Sequence, residues 1–239
     1  MPHTLFISDL HLCEETPSTN QCFFEFCQKQ VSEAEALYIL GDFFNVYVGD
    51  DIQTHLSIKL EAQLKALVDS GIPIYFMHGN RDFFVGKRFF KRTGITFLPD
   101  PTLINLYGKK TLLMHGDSLC TKDLEYMKFR RFIRNPIIKG LFLALPKKTR
   151  LHLANKARIK SMAPKENVDL SIFDVSRSAV VNTLIQYNVE QLIHGHTHQP
   201  AEHDIRIQDK ACKRYVLGDW HPSGTIIRAD ASGIRFASS

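Results

Sequence analysis

Thr4-Leu5-Phe6-Ile7-Ser8-Asp9-Leu10-His11 is the stretch on which the fold turns. A short apolar run ends abruptly in Ser8, Asp9 and His11, residue types that suit turns and that ligate metals. The same pattern recurs along the chain. Ala36–Leu40 leads into Gly41-Asp42, and Ile74–His78 into Gly79-Asn80-Arg81-Asp82. Thr111–His115 leads into His115-Gly116-Asp117, and Gln191–His194 into Gly195-His196-Thr197-His198. Each apolar run reads as a buried strand. Between the first three, Thr19–Ala34 and Gln53–Ser70 have helical spacing, with Leu56, Leu60, Leu64, Leu67 and Val68 near one face. Strand–helix–strand order predicts right-handed crossovers between parallel strands, hence an α/β fold.

Farther along, Ser171–Tyr187 reads as a helix. Ile205–Gln208, Arg214–Leu217, Gly224–Arg228 and Ile234–Phe236 read as short strands in a mainly antiparallel ending. Residues 121–169 break the rhythm: they are helical in propensity, basic, and interrupted by Pro136, Pro146 and Pro164. They are expected to form a helical lobe inserted into a single domain spanning 1–239. No internal repeat or low-complexity linker is visible.

The carboxyl ends of strands in an α/β sheet border the crevice where ligands bind, so residues distant in sequence can converge there. Singly, each cluster has a bland reading. Asp9-Leu10-His11 fits a turn, Asp42 fits a helix cap, Asn80 fits a left-handed turn position, and His115 fits a buried histidine. Gly195-His196-Thr197-His198 is sharper, because two imidazoles two residues apart on a tight loop rarely serve packing. Together the five clusters offer Asp9, His11, Asp42, Asn80, His115, His196 and His198. Carboxylate, imidazole and amide donors suit divalent ions such as Mn²⁺, Fe²⁺ or Zn²⁺, and the absence of cysteine from the set argues against a structural zinc site. Seven ligands exceed what one open site needs. A carboxylate bridging two ions divides them sensibly, and such a pair suits in-line displacement at phosphorus.

The rest of the chain narrows the class. Its 239 residues, 44% hydrophobic and 23% charged, describe a soluble globular protein. No stretch approaches the ~20 apolar residues that span a bilayer. The start of the chain is too polar for a signal peptide, so a cytoplasmic location is expected. Cys13, Cys22, Cys27, Cys120 and Cys212 are odd in number and form no CxxC pair, which points to reduced thiols. The net charge of +5 is unevenly placed: Thr121–Lys165 holds thirteen Lys/Arg against Asp123 and Glu125, leaving the remainder net acidic. Phe129, Phe132, Ile133, Ile137, Ile138, Leu141, Phe142, Leu143 and Leu145 are interleaved with that charge. An apolar stripe with a basic border can cradle acyl chains or lie on an anionic membrane. The plainer reading is packing of the lobe on the core, and both can hold.

The ordered set Asp-x-His, Gly-Asp, Gly-Asn-x-Asp, His and Gly-His-x-His resembles the calcineurin-like metallophosphoesterases over Asp9–His198. The resemblance implies a four-layer αββα sandwich of two mixed β-sheets. It implies one ion on Asp9, His11, Asp42 and His198, and another on Asp42, Asn80, His115 and His196, with Asp42 as the bridge. Where many members carry an acid three residues after that bridge, this chain has Asn45, a change expected beside the ligands rather than among them. The words around the motifs, such as GNRDFFVGKRF, LLMHGDSLCT and LIHGHTHQPA, are similar to the branch that works in lipid A biosynthesis. That likeness implies hydrolysis of the pyrophosphate of UDP-2,3-diacylglucosamine to UMP and 2,3-diacylglucosamine 1-phosphate, with water attacking the α-phosphorus. It further implies two Mn²⁺ ions and peripheral association with the cytoplasmic face of the inner membrane.

By the same likeness, Asp42, Asn80, Arg81 and His115 are the catalytic set. Asn80, Arg81, Asp123, Ser161, Lys165 and His196 are the substrate contacts. Arg81 stands where many phosphoesterases carry a histidine; it can hold a phosphate oxygen but cannot act as a general acid at neutral pH. Lys165 and Val168 depart from the branch's pattern. The rivals are a phosphoesterase for a soluble nucleotide or phosphoprotein, and a non-catalytic scaffold, which the complete ligand set disfavours. No nucleic-acid partner is expected, and no obligate protein partner is evident.

Overall fold

A computed structural model describes residues 2–162, 174–221 and 224–239. Two β-sheets lie face to face between helices. The first holds β1 (Thr4–Ile7), β2 (Ala36–Ile39), β3 (Ile74–Met77), β4 (Thr96–Leu98), β10 (Thr225–Asp230) and β11 (Gly233–Ser238), in the order β11-β10-β1-β2-β3-β4. The second holds β5 (Thr102–Leu106), β6 (Lys109–Met114), β7 (Gln191–His194), β8 (Ala201–Ile207) and β9 (Lys210–Val216), in the order β5-β6-β7-β9-β8. Both sheets are mixed. β1, β2, β3 and β4 run parallel, as do β6, β7 and β9. β10, β11, β5 and β8 pair antiparallel at the flanks.

Side-chain alternation along each strand builds the four layers. Leu5 and Ile7 point to one face of β1, where they join Leu37, Ile39, Ile74 and Phe76 against three helices. These are α1 (Pro17–Lys29), α2 (His55–Asp69) and α3 (Lys87–Thr93), which contribute Phe23, Phe26, Leu60, Leu64 and Phe89. Phe6, between Leu5 and Ile7, points the other way and meets Met77, Leu113, Ile193, Tyr215 and Ile227 between the sheets. Leu112 and Met114 face outward from β6 onto Val180 and Leu184 of α7 (Arg177–Tyr187). A strand with both faces buried must be apolar throughout, which is why these runs read as continuous rather than alternating.

The expected helices are present with altered bounds. α1 begins two residues early because Pro17 takes a first-turn position that needs no amide, and Val31–Glu33 is a separate 3₁₀ turn. Thr54 and Ser57 form a reciprocal cap at the start of α2. The helix expected from Ser171 begins at Arg177, capped by Ser176, while residues 163–173 lie outside the described part. α3, β4 and β5 were not expected from the sequence; at three to seven residues they are too short to carry a period. Between β6 and α7 come α4 (Leu124–Ile133), α5 (Pro136–Ala144) and α6 (Lys147–Met162). No helix among the described residues is long and apolar enough to cross a membrane.

Candidate metal centre

The carboxyl ends of β1, β2, β3, β6, β7 and β9 open onto one crevice, and every motif residue except those of α4–α6 follows one of these strands. Backbone bonds lace the first two loops together: Asp9 N–H donates to Gly41 O (3.1 Å), His11 N–H to Asp42 O (2.9 Å) and Leu12 N–H to Phe43 O (2.9 Å). Asp9, His11, Asp42, His196 and His198 all have left-handed backbone, with φ between 50° and 72°. Such geometry is uncommon outside glycine and is tolerated best by Asp, Asn and His. It costs on the order of 1–3 kcal/mol per residue and persists only where the surroundings enforce it. Here it turns the chain sharply at the strand end, aiming both residues of Asp9/His11 and of His196/His198 into the crevice. Two glycines make the close approach of loops possible. Any side chain at Gly79 would collide with the Asp42 carboxylate, and any at Gly195 with Ser8 and Asp9.

Donor atoms converge in two groups, Asp9 with His11 and His198, and Asp9 with Asp42 and His115, each within 4.8 Å. His11 Nε2 lies 3.2 Å from His198 Nε2, and His198 Nε2 3.4 Å from Asp9 Oδ1. On the other side, His115 Nε2 lies 2.9 Å from Asn80 Oδ1 and 3.8 Å from Asp42 Oδ1. The other Asp42 oxygen faces His11 Nδ1 at 3.9 Å. Asp42 therefore presents one oxygen to each group, as a bridge would, although Asp9 is the residue common to both groups. The His196 ring meets that of His115 edge-on at 5.1 Å, and the His196 backbone N–H donates to Asp9 Oδ2 (2.8 Å).

The electrostatics fit a cation site. Leu40 O can only accept, so the 2.8 Å contact fixes the proton of His115 on Nδ1 and leaves Nε2 facing the acceptors Asn80 Oδ1 and Asp42. Asp9 Oδ1 and His11 Nδ1 are buried with no hydrogen-bond partner. Burial pushes Asp42 up to about 7, reinforced by Asp82 and Asp9 against the pull of His115. Burial would lower His115, but Asp42, Asp9 and Asp117 outweigh it and raise it to about 9. For Asp9, burial is outweighed by the surrounding imidazoles of His198, His115 and His11, which hold it below the usual carboxylate range. Burial keeps His11 and His196 neutral, at about 3 and about 4. In the metal-free chain a proton on His115 is thus the cation this cluster gathers. Neutral imidazoles, ionised carboxylate and amide oxygen are the donor set that borderline divalent ions take.

The remaining predicted residues sort by position. Arg81 donates its N–H to Asp42 Oδ1 (2.8 Å), and its guanidinium lies 3.8 Å from Asp42 Oδ2 and 3.4 Å from Asn45 Oδ1. Asn45 is thus beside the centre, supporting Arg81 rather than facing the converging donors. Asp123 caps α4, its carboxylate accepting from Tyr126 N–H (2.9 Å). The Ser161 side chain, Lys165 and Val168 lie outside the described residues.

Several residues at the site carried no role in the sequence reading. Asp82 is fully buried and accepts from Gly79 N–H (2.7 Å) and Phe43 N–H (2.8 Å), joining the second and third loops. Asp219, after β9, sits 3.5 Å from His198 Nδ1, placed to orient that imidazole. Gly218-Asp219 repeats the Gly41-Asp42 word at a strand end and was a legible signal. Asp117 binds the α4 stripe Tyr126, Arg130 and Arg134, which only the structure brings to it.

The α4–α6 segment borders this crevice, with Tyr126 stacked 6.2 Å from His196. Neither α4 nor α5 has a buried residue. Phe142 and Ile133 pack inward, Phe142 stacking on Phe84 at 4.4 Å. Ile137 (72% exposed), Leu141 (63%), Phe132 and Phe129 face solvent. Both the packing and the open apolar stripe expected from sequence are therefore present. The basic residues divide likewise. Arg130, Arg134, Lys139, Lys147 and Arg150 bond to core loops, whereas Lys122, Lys128, Arg131, Lys148 and Lys156 are exposed.

Residues 2–200 match the family model described as calcineurin-like phosphoesterase. Three curated relatives carry the name UDP-2,3-diacylglucosamine hydrolase. The one from Pseudomonas fluorescens (strain SBW25) is 47% identical over 98% of this chain and 94% of its own. Its counterpart from Escherichia coli O7:K1 is 44% identical over 97% and 96%, and that from Enterobacter sp. (strain 638) is 46% identical over 97% and 96%.

Proposed function

This chain belongs to the calcineurin-like phosphoesterase family, and on that premise we propose that it hydrolyses the pyrophosphate of UDP-2,3-diacylglucosamine. The products are UMP and 2,3-diacylglucosamine 1-phosphate, a step of lipid A biosynthesis. The observation that carries the reading is a juxtaposition. Converging metal donors lie beside a helical segment whose apolar stripe is left open and edged with cations. A soluble nucleotide or phosphoprotein gives no reason to expose such a stripe.

The site binds divalent metal. We assign one ion to Asp9, His11, Asp42 and His198 and a second to Asp42, Asn80, His115 and His196, with Mn²⁺ as the working ion. Such a pair would lower the pKa of water and neutralise charge on the phosphoryl oxygens. The chain's own residues do the rest. Leu40 O holds the His115 proton on Nδ1, so that Nε2 stays free to coordinate. The Arg81 N–H fixes one Asp42 oxygen, and its guanidinium, permanently charged, is placed to hold a pyrophosphate oxygen. The α4–α6 segment serves as an inserted lobe that takes the acyl chains out of water. Its outer stripe, with Lys128, Arg131 and Lys148, rests on the anionic cytoplasmic face of the inner membrane.

Incubation with UDP-2,3-diacylglucosamine and Mn²⁺, followed by product identification, tests the reaction. In ¹⁸O-labelled water the label is expected in UMP, as attack at the α-phosphorus requires. Equal turnover of acylated and deacylated UDP-glucosamine would remove the case for a lipid substrate.

A further inference from the structure

Asp117 is fully buried, two residues beyond His115. Its Oδ2 accepts from the Tyr126 hydroxyl (2.7 Å), Arg130 Nε (2.7 Å) and Arg134 Nη2 (3.2 Å). Tyr126 and Arg130 on α4 and Arg134 at its C-terminal cap are spaced four apart, so they form one stripe, and all three donate to the same carboxylate, with Arg130 also reaching Asp100 Oδ2 (3.4 Å). Burial alone would favour the neutral acid, but His115 and the two guanidinium groups hold Asp117 below the usual carboxylate range, so the cluster is ionic.

Of the three, Arg134 is the one that also reaches the loop carrying Asn80. The same Nη2 that donates to Asp117 also donates to Gly79 O at 3.0 Å. A guanidinium NH₂ carries two hydrogens in a fixed plane, so each can serve one acceptor. One acceptor belongs to the loop after β3, immediately before Asn80. The other belongs to the loop after β6, two residues past His115. Asn80 Oδ1 and His115 Nε2 are 2.9 Å apart, and they come from different sheets. Asp82 joins the Asn80 loop to the Asp42 loop, but no comparable backbone bond links it to the His115 loop among the described bonds.

We propose that Arg134 is a positioning residue that staples the Asn80 loop to the His115 loop, so that one half of the metal centre depends on the docking of α4. The inference rests on reading the site as a metal centre, and it goes beyond that reading by making the helical segment part of ligand geometry, not only of substrate capture. Ligands supported by neighbouring groups typically lose 10–100-fold in metal affinity when that support is removed. The Asp9/His11/His198 group lies away from the staple and is expected to keep its affinity.

Mn²⁺ titration of the full chain without substrate, following free Mn²⁺ by electron paramagnetic resonance, tests this. In Arg134→Ala one of two ions is expected to weaken about 10–100-fold. Arg134→Lys is expected to recover part of the loss, since an ammonium keeps the charge but not the planar fork. Arg130→Ala, which removes a cation from Asp117 and from Asp100 without touching Gly79, should change Mn²⁺ affinity less. Turnover of a small chromogenic phosphodiester, too small to need the acyl groove, should fall in kcat in Arg134→Ala. Wild-type affinity for both ions in Arg134→Ala, or an equal loss in Arg130→Ala, overturns the staple. So does a loss confined to the lipid substrate. If Arg134→Ala fails to fold by circular dichroism, Arg134→Lys carries the same comparison. A wild-type chain that takes up no Mn²⁺ sinks the metal-centre reading together with the staple, whereas two ions unaffected by Arg134→Ala sink the staple alone.

Discussion

The loops at the strand ends and the α4–α6 segment beside them are built on opposite principles. In the loops, polar and charged side chains are buried, backbone is forced into left-handed geometry, and glycines let chains touch. In the segment, many apolar side chains face water, and cations join the inward packing of Ile133 and Phe142 in fastening the helices down. The loops store strain and unpaired charge because two packed sheets hold them. The segment leaves apolar surface open among the described residues. Chemistry demands fixed atoms, and recognition of a greasy substrate demands available surface.

The contrast can be broken most forcefully at Asp42. Asp42→Asn is expected to abolish turnover while leaving the fold intact, with Mn²⁺ uptake as the check. The same variant should be more stable than the wild type when both are metal-free at pH 8. Burial raises the folded-state value of Asp42 from 3.8 to about 7. Its charged form therefore penalises the folded state fully above about pH 7 and not at all below about pH 4. Thermal unfolding in chelator at pH 4.5 and pH 8 should show the gap between variant and wild type widening with pH. A variant equally stable at both pH values would mean that Asp42 is not strained.

Arg150→Ala probes how the segment is attached. Arg150 is buried, pairs with Asp51 and donates to Val48 O (2.6 Å). Its loss is expected to cost about 3 kcal/mol, nearer the lower end for such a pair because Asp51 keeps access to water. Denaturant unfolding measures the cost. Hydrogen exchange should locate the loosening in α6 and leave the strand-end loops protected.

The smallest effect is expected from Ile137→Glu with Leu141→Glu. Both positions face solvent, so stability should move by less than about 0.5 kcal/mol. Co-sedimentation with anionic vesicles should fall, and KM for the acylated substrate should rise several-fold, with turnover of a soluble phosphodiester unchanged. A large drop in stability would show the stripe to be a core surface and erase the contrast.

Much of this could be read in advance. Continuous apolar runs identified buried strands, and the residues following them identified the crevice, because strand ends and metal ligands are both local signals. Asp9, His11, Asp42, Asn80, His115, His196 and His198 all stand out in the sequence as ligand types at strand ends. Asp123 was expected near substrate, and the structure places its carboxylate on the first turn of α4; a cap and a binding group use the same residue type. The sequence interleaves the insertion's thirteen cations with its apolar residues as a single basic border. The structure spends five of them on core loops, and a charge count has no means of separating a fastener from a free cation.

By itself, then, the sequence determined the longer elements and the chemical types gathered at their ends, since period and composition are properties of neighbouring residues, while the four layers followed from the family resemblance. Tertiary structure alone decided that Asp42 offers one oxygen to each donor group, that Asp219 stands behind His198, and that Arg134 spans two loops. Those relations join residues from different strands and different sheets. Their distances are fixed by packing, which no local pattern encodes.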